Sequence, residues 1–150
     1  MPAIFELRHR VRADEADELG HVSNLVYLKW MQSAAFGHSA ARGWGMDEYR
    51  AINAGWVVRS HEIEYLRPAF PGDEVIVQTW IADLKKMTSL RRYQILRPHD
   101  NVRLAVAATN WAFIDFATHR LKRVPPEVAA AFVVIPDGPA LPEQIDEPAT

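Results

Sequence analysis

Asp17, Gly20, His21, Asn24 and Tyr27 fall within eleven residues of one another and carry the groups that attack on a carbonyl requires. A carboxylate beside a helix start can act as nucleophile or base. Backbone amides at that start bear partial positive charge and can hold a developing oxyanion. Asp17 is the candidate carboxylate, and the amides of Ser23 or Asn24 are the candidate donors. Residue type alone leaves a plainer reading of Asp17, an acidic loop residue that favours the positive helix end by about 0.3–1 kcal/mol. His21 either binds substrate or shapes the loop. Asn24 caps the helix or lends its amide, and Tyr27, one turn further, packs in the core or lines a pocket.

The element that must position these groups follows directly. From Asn24 to Ala41 the only Asp, Glu, Lys or Arg is Lys29. Apolar residues fill both the Leu25, Leu28, Met31, Ala35 row and the Val26, Trp30, Ala34 row, a pattern that predicts a helix buried on nearly every side. Ser23 or Asn24 can cap its start, and Gly43 can end it in a left-handed turn.

The Asp-x-x-Gly-His-Val-x-Asn-x-x-Tyr pattern at Asp17, Gly20, His21, Val22, Asn24 and Tyr27 resembles the hotdog-fold thioesterases of the 4-hydroxybenzoyl-CoA thioesterase type. Tyr65-Leu66-Arg67-Pro68 through Gly72-Asp73 is similar to the strand, turn and strand that follow the central helix in that family. The resemblance covers most of the chain to about Phe132. It implies thioester hydrolysis with Asp17 as the essential carboxylate, since the offsets of Asp14 and Glu15 from Gly20 do not match. It also implies two domains pairing edge to edge, an active site between subunits, and a homodimer or homotetramer. Two departures stand out. Gln32 occupies the place, five residues after the tyrosine, where many relatives carry an acid, and Ala35 the place of a frequent arginine. A mechanism that needs a second carboxylate from this helix therefore lacks one.

Along the rest of the chain, Phe5 to Ala13 alternate as a half-buried strand. Trp56 to Leu66 give a second, with Val57, His61, Ile63 and Tyr65 on one face. On that apolar face His61 is a satisfied core histidine or a substrate contact. Pro68 to Asp73 form a turn by composition, and further strands are expected over about Glu74–Ala82, Ser89–Arg97 and Val102–Phe116. Pro125 and Pro126 can open a short helix through Phe132. The expected fold is α+β, a hotdog domain over residues 1–135 in which an antiparallel sheet of five to six strands wraps the helix. Residues 136–150, rich in Pro, Asp and Glu, are expected to form a loose tail.

Lys85 and Lys86, followed by Arg91 and Arg92, form the densest basic cluster. They read as a solvated loop or, as the resemblance implies, as contacts to the phosphates of coenzyme A. The same surface suits an acidic acyl carrier protein. Trp56-Val57-Val58, Gly72-Asp73 with Trp80, and Leu121 to Val128 are similar to segments of plant-type acyl-carrier-protein thioesterases.

At 150 residues the chain suits one domain, which buries roughly 70% of its unfolded surface. A net charge of -2 gives no global pull toward nucleic acid or membrane surfaces. There is no cysteine, which excludes disulfides and a thiolate nucleophile. The first ten residues lack the apolar run of a signal peptide or membrane span, and the expected location is the cytoplasm. No phosphate-binding glycine loop, H-E-x-x-H or G-x-S-x-G spacing occurs, so no cofactor or metal is expected. A hydratase of this fold would need other histidine-plus-carboxylate signatures, which are absent. A non-catalytic binder of acyl thioesters is the alternative from a different class.

Overall fold

The structure, a computed structural model, describes residues 3–139. Alternating apolar residues produce strands β1 (Phe5–Arg10), β2 (Ala54–Tyr65), β3 (Glu74–Leu84), β4 (Thr88–Arg97) and β5 (Val102–Asp115). The helices are α1 (Asn24–Ala41), α2 (Met46–Ile52) and α3 (Pro126–Ala129). The strands form one sheet in the order β1-β3-β4-β5-β2, antiparallel throughout. The lower of the two expected strand numbers therefore holds among the described residues.

Bulges interrupt the register between Val58 and Ser60, Ile81 and Asp83, and Ile95 and Leu96. An extra residue in one strand bends it and increases its twist, which curls the sheet around α1. The bulge in β2 also corrects the expected facing. Past it the phase shifts by one residue, so Trp56 rather than Val57 packs on the core with Ile63, and Val57 is exposed.

Tyr27, Trp30, Met31, Ala34 and Ala35 of α1 meet Val75, Val77, Tyr93, Ile95 and Leu104 of the sheet. Burial on nearly every side of α1, as its composition implied, is not what the fold provides. Leu25 is 70% exposed and Phe36 56%, and Lys29, Gln32 and Ser33 lie on the same open side. The reason is geometric: a single sheet covers one side of a cylinder, and among the described residues no second layer covers the other.

Ser23 is the N-cap, its Oγ accepting from the Leu25 amide at 3.3 Å, and Asn24 is the first helical residue. Gly43 ends the helix with φ +89°, a conformation that glycine reaches without a Cβ penalty. The two sheet edges differ. β1 is short and carries Glu6, Arg8 and Arg10 outward, which discourages further pairing. β2, with twelve residues, leaves Val57 and Val58 exposed.

The expected C-terminal helix is confined to one turn, α3, after which Val134 bridges Ile81 and the Ile135 amide donates to the Ile81 carbonyl at 2.8 Å. The expected loose tail lies outside the described residues from position 140 onward. Before that, Gly138 sits against the Trp80 ring. No described helix is long and apolar enough to cross a membrane.

Met31 is fully buried where α1 meets the sheet. Met31→Ala is expected to lower unfolding free energy by about 2–5 kcal/mol in chemical denaturation. A loss below about 1 kcal/mol would show that α1 does not seat on the sheet as described.

Candidate active site

The loop from Arg12 to Ser23 is built around a buried carboxylate. Glu15, in a short 3-10 turn (Ala13–Glu15), is 6% exposed. Its Oε1 lies 2.7 Å from His9 Nε2 and accepts from the Arg12 amide at 2.8 Å, and its Oε2 accepts from Trp30 Nε1 at 3.0 Å. Burial by itself raises the Glu15 pKa, but the bonds from the Arg12 amide, His9 and Trp30 together outweigh it, and the net shift is downward. This one side chain ties β1, the loop and α1 together, while its carbonyl accepts from the Ser23 amide at 3.0 Å.

Asp17 stands two residues further, in a closed loop. Its amide donates to the His21 carbonyl at 2.8 Å, the Gly20 amide donates back to the Asp17 carbonyl at 3.0 Å, and Gly20 has φ +86°. The carboxylate accepts from the Leu19 amide at 2.9 Å and lies 3.7 Å from His21 Nδ1, with both side chains about one-third exposed. These bonds join Asp17, Gly20 and His21 in one loop that leads into α1.

The two candidate donor amides, of Ser23 and Asn24, differ in what they already bond. The Ser23 amide is spent on Glu15, whereas the Asn24 amide, at the first helical position, has no earlier turn to bond to. Tyr27 is 2% exposed and packs edge-on against Trp30 and Tyr65. Burial pushes its phenol up to about 12, so it is a neutral core group. His61 is half-buried, its Nδ1 2.8 Å from Thr109 Oγ1, and burial lowers its pKa.

Lys85 and Lys86 are exposed in the turn joining β3 to β4, with Lys85 Nζ 3.8 Å from Asp83. Arg91 does not belong to their cluster. Alternation along β4 sends Arg92 to solvent and Arg91 inward, where it is 4% exposed and donates to His38 Nδ1 and Thr79 Oγ1, both at 3.0 Å. The period of two was sufficient to separate these neighbours in the sequence. His38 was not singled out there, because a lone histidine on a core helix carries no signal. Burial, then Arg91 and Arg42, depress its pKa to about 4, so it is neutral.

A cavity of about 510 Å3 opens between the second half of α1, α2 and the first half of β2. Ala35, Phe36, Trp56 and Trp111 make its wall apolar, and Ser39, Tyr49 and Arg91 contribute polar atoms. Asp17 does not line it. Its first α1 residue is Gln32, roughly 12 Å along the helix axis from Asn24 at 1.5 Å per residue. Within one chain, carboxylate and cavity therefore stand apart. Among the described residues no His, Asp and Glu cluster could hold a metal ion.

Residues 11–132 match the family model described as the thioesterase-like superfamily. The chain is similar in structure to a 1,4-dihydroxy-2-naphthoyl-CoA thioesterase from Synechocystis, with a TM-score of 0.79 and 18% identity, over 85% of this chain and 94% of that one. A hypothetical protein from Staphylococcus aureus, solved in complex with CoA, superposes with a TM-score of 0.81 at 15% identity, over 85% and 80% of the two chains. These likenesses establish the hotdog fold. A chloroplastic acyl-[acyl-carrier-protein] hydrolase from Cuphea viscosissima is 33% identical over 78 residues, which are 52% of this chain and 19% of that relative's length.

The Glu15 anchor predicts an acid-sensitive fold. Because its folded pKa lies below 4.5, its contribution is fully present above that unfolded value and is lost as pH falls through the folded one. Glu15→Gln should remove this component of the acid sensitivity and cost about 1–3 kcal/mol at neutral pH. Denaturation curves measured across the acid range check both effects. An unchanged acid dependence in the variant would contradict the anchor.

Proposed function

The chain belongs to the thioesterase-like superfamily, and from that premise we propose that it hydrolyses acyl-CoA thioesters to a free acid and CoA, with Asp17 as the reacting carboxylate. The observation that carries this reading is the placement of Asp17, partly exposed, held by the Leu19 amide and beside His21 in the closed loop that leads into α1. Asp17 adds to the thioester carbonyl carbon, or takes a proton from a water that does so. Both routes need an ionised carboxylate. The Asn24 amide and the positive end of α1 hold the oxyanion. The carbon–sulfur bond then breaks and CoA leaves as a thiolate that takes up a proton. Where Asp17 has been acylated, water completes the hydrolysis.

The separation of Asp17 from the cavity supports a site shared by two copies. A two-fold axis that pairs β2 with its own copy antiparallel runs the two α1 helices antiparallel, their open sides facing. The Asp17 end of one helix then approaches the second half of its partner, where the cavity lies. That arrangement covers Leu25 and Phe36 and completes the open β2 edge. The acyl group enters the cavity, while Lys85 and Lys86 meet the phosphates of CoA. His21 shapes the Asp17 loop, and His61 and Tyr27 support the wall behind it. The assembly is a homodimer, with a homotetramer as the further association. Similarity to the Cuphea hydrolase favours a second reading, in which the thiol carrier is an acyl carrier protein.

Thiol release from a panel of acyl-CoAs and acyl carrier proteins tests the reaction. Asp17→Asn is expected to lower turnover by about 100-fold or more while fold and assembly persist. Activity retained in that variant would remove Asp17 from the chemistry. Phe36→Glu is expected to shift the light-scattering mass from dimer to monomer and to abolish turnover. An unchanged dimer would show that this face is not the interface.

A further inference from the structure

The polar groups of the cavity are not equivalent. Trp56 Nε1 donates to the Tyr49 hydroxyl at 3.1 Å, Tyr49 lies 3.1 Å from Ser39 Oγ, and Ser39 Oγ donates to the Trp44 carbonyl at 2.6 Å. That chain closes on the protein itself. Ser89 Oγ likewise donates to the Asp83 carbonyl at 2.9 Å.

Arg91 differs from all of these. Its Nη1 spends both hydrogens, on His38 Nδ1 and Thr79 Oγ1. Among the described residues, Nε and Nη2 make no hydrogen bond and no carboxylate pairs with the guanidinium. Its electrostatic neighbours are the phenols of Tyr93 and Tyr49. Burial pulls its pKa down to about 10, so it remains a cation at neutral pH. A guanidinium 4% exposed in an apolar wall without an anion is costly to the fold. The two nitrogens left over form the planar fork that receives a carboxylate through two parallel bonds. His38, neutral and accepting at Nδ1, holds that fork in place from α1.

We propose that the cavity receives an acyl group that itself ends in a carboxylate, seated on the Nε and Nη2 edge of Arg91, so that the substrate class is the monothioester of a dicarboxylic acid. This specificity rests on the thioesterase reading and deepens it. The apolar wall accommodates the methylene chain or ring between the two carboxyl ends, and the cavity volume lies in the range of sites for small organic ligands. An acyl group ending in a methyl leaves the guanidinium unpaired, and that difference is the source of discrimination.

The test compares kcat/KM for hexanedioyl-CoA and octanedioyl-CoA with hexanoyl-CoA and octanoyl-CoA, in the full-length protein and in Arg91→Met and Arg91→Lys. The wild type should favour the acid-ended member of each pair by about 10- to 100-fold. Arg91→Met should erase or reverse that preference, and Arg91→Lys, which keeps the charge and loses the fork, should fall between. Equal or better turnover of the methyl-ended thioesters by the wild type, with a ratio that Arg91→Met leaves unchanged, overturns the proposal while leaving the thioesterase reading intact. A second measurement does not depend on turnover. Trp44, Trp56 and Trp111 line the cavity, so free hexanedioate should change tryptophan emission with saturation and hexanoate should not, and Arg91→Lys should weaken the response. If no thioester is cleaved, the thioesterase reading fails and this titration decides the Arg91 site alone. It overturns the site if hexanedioate gives no saturable change. Should Arg91→Met fail to fold, the wild-type and Arg91→Lys results decide in the same way.

Discussion

Coverage of α1 by a single sheet is the constraint on which the rest of the molecule depends. An eighteen-residue helix with one charged side chain is too apolar to stand half in water, yet five strands reach only the face bearing Tyr27, Trp30, Met31, Ala34 and Ala35. The curl imposed by the β-bulges brings the sheet around that face and leaves the opposite side, with Leu25 and Phe36, to water or to another chain. The same curl leaves β2 as a long edge lined with valine. A helix face and a strand edge left open on one molecule both call for a further layer, which the described residues do not supply.

The Asp17 loop inherits its position from the covered side. Trp30 points from α1 to the buried Glu15 carboxylate, which also takes the Arg12 amide and His9. Asp17 is therefore fixed relative to the helix start through groups that are not themselves part of the proposed chemistry. Glu15 thus sits buried at the base of the network, held by the Arg12 amide, His9 and Trp30 with the Arg12 guanidinium 3.8 Å away, while the Asp17 carboxylate stands about one-third exposed on the loop. Burial separates the two roles. The cavity belongs to the other half of α1, and among the described residues the one guanidinium in its wall is that of Arg91.

Much of this was legible in the residues. The five strands fall within a few residues of their expected ends, and β1 shows why most plainly, since its alternate residues bury one face. The bounds of α1 followed from Ser23 and Gly43. Less was legible wherever two elements must be known together. The uncharged run of α1 cannot distinguish burial by its own chain from burial by another, since both demand the same composition. Arg91 and Arg92 look like one basic pair until strand phase divides them. Glu15 reads as one acid among several in a loop, and only the placement of His9 and Trp30 reveals it as the anchor. The distance between Asp17 and the cavity has no sequence signature at all.

Subunit complementation can decide whether the Asp17 of one copy serves the cavity of another, as proposed. Asp17→Asn removes the carboxylate. Ala40→Trp fills the cavity from an exposed lining position without entering the core. Each variant alone should be inactive. Refolded together in equal amounts, they should recover about a quarter of wild-type turnover, since half of the dimers then hold one intact site formed by the Asp17 of one chain and the cavity of the other. A mixture that forms mixed dimers and stays inactive would mean that carboxylate and cavity must belong to the same chain, and would rule out a site shared between copies.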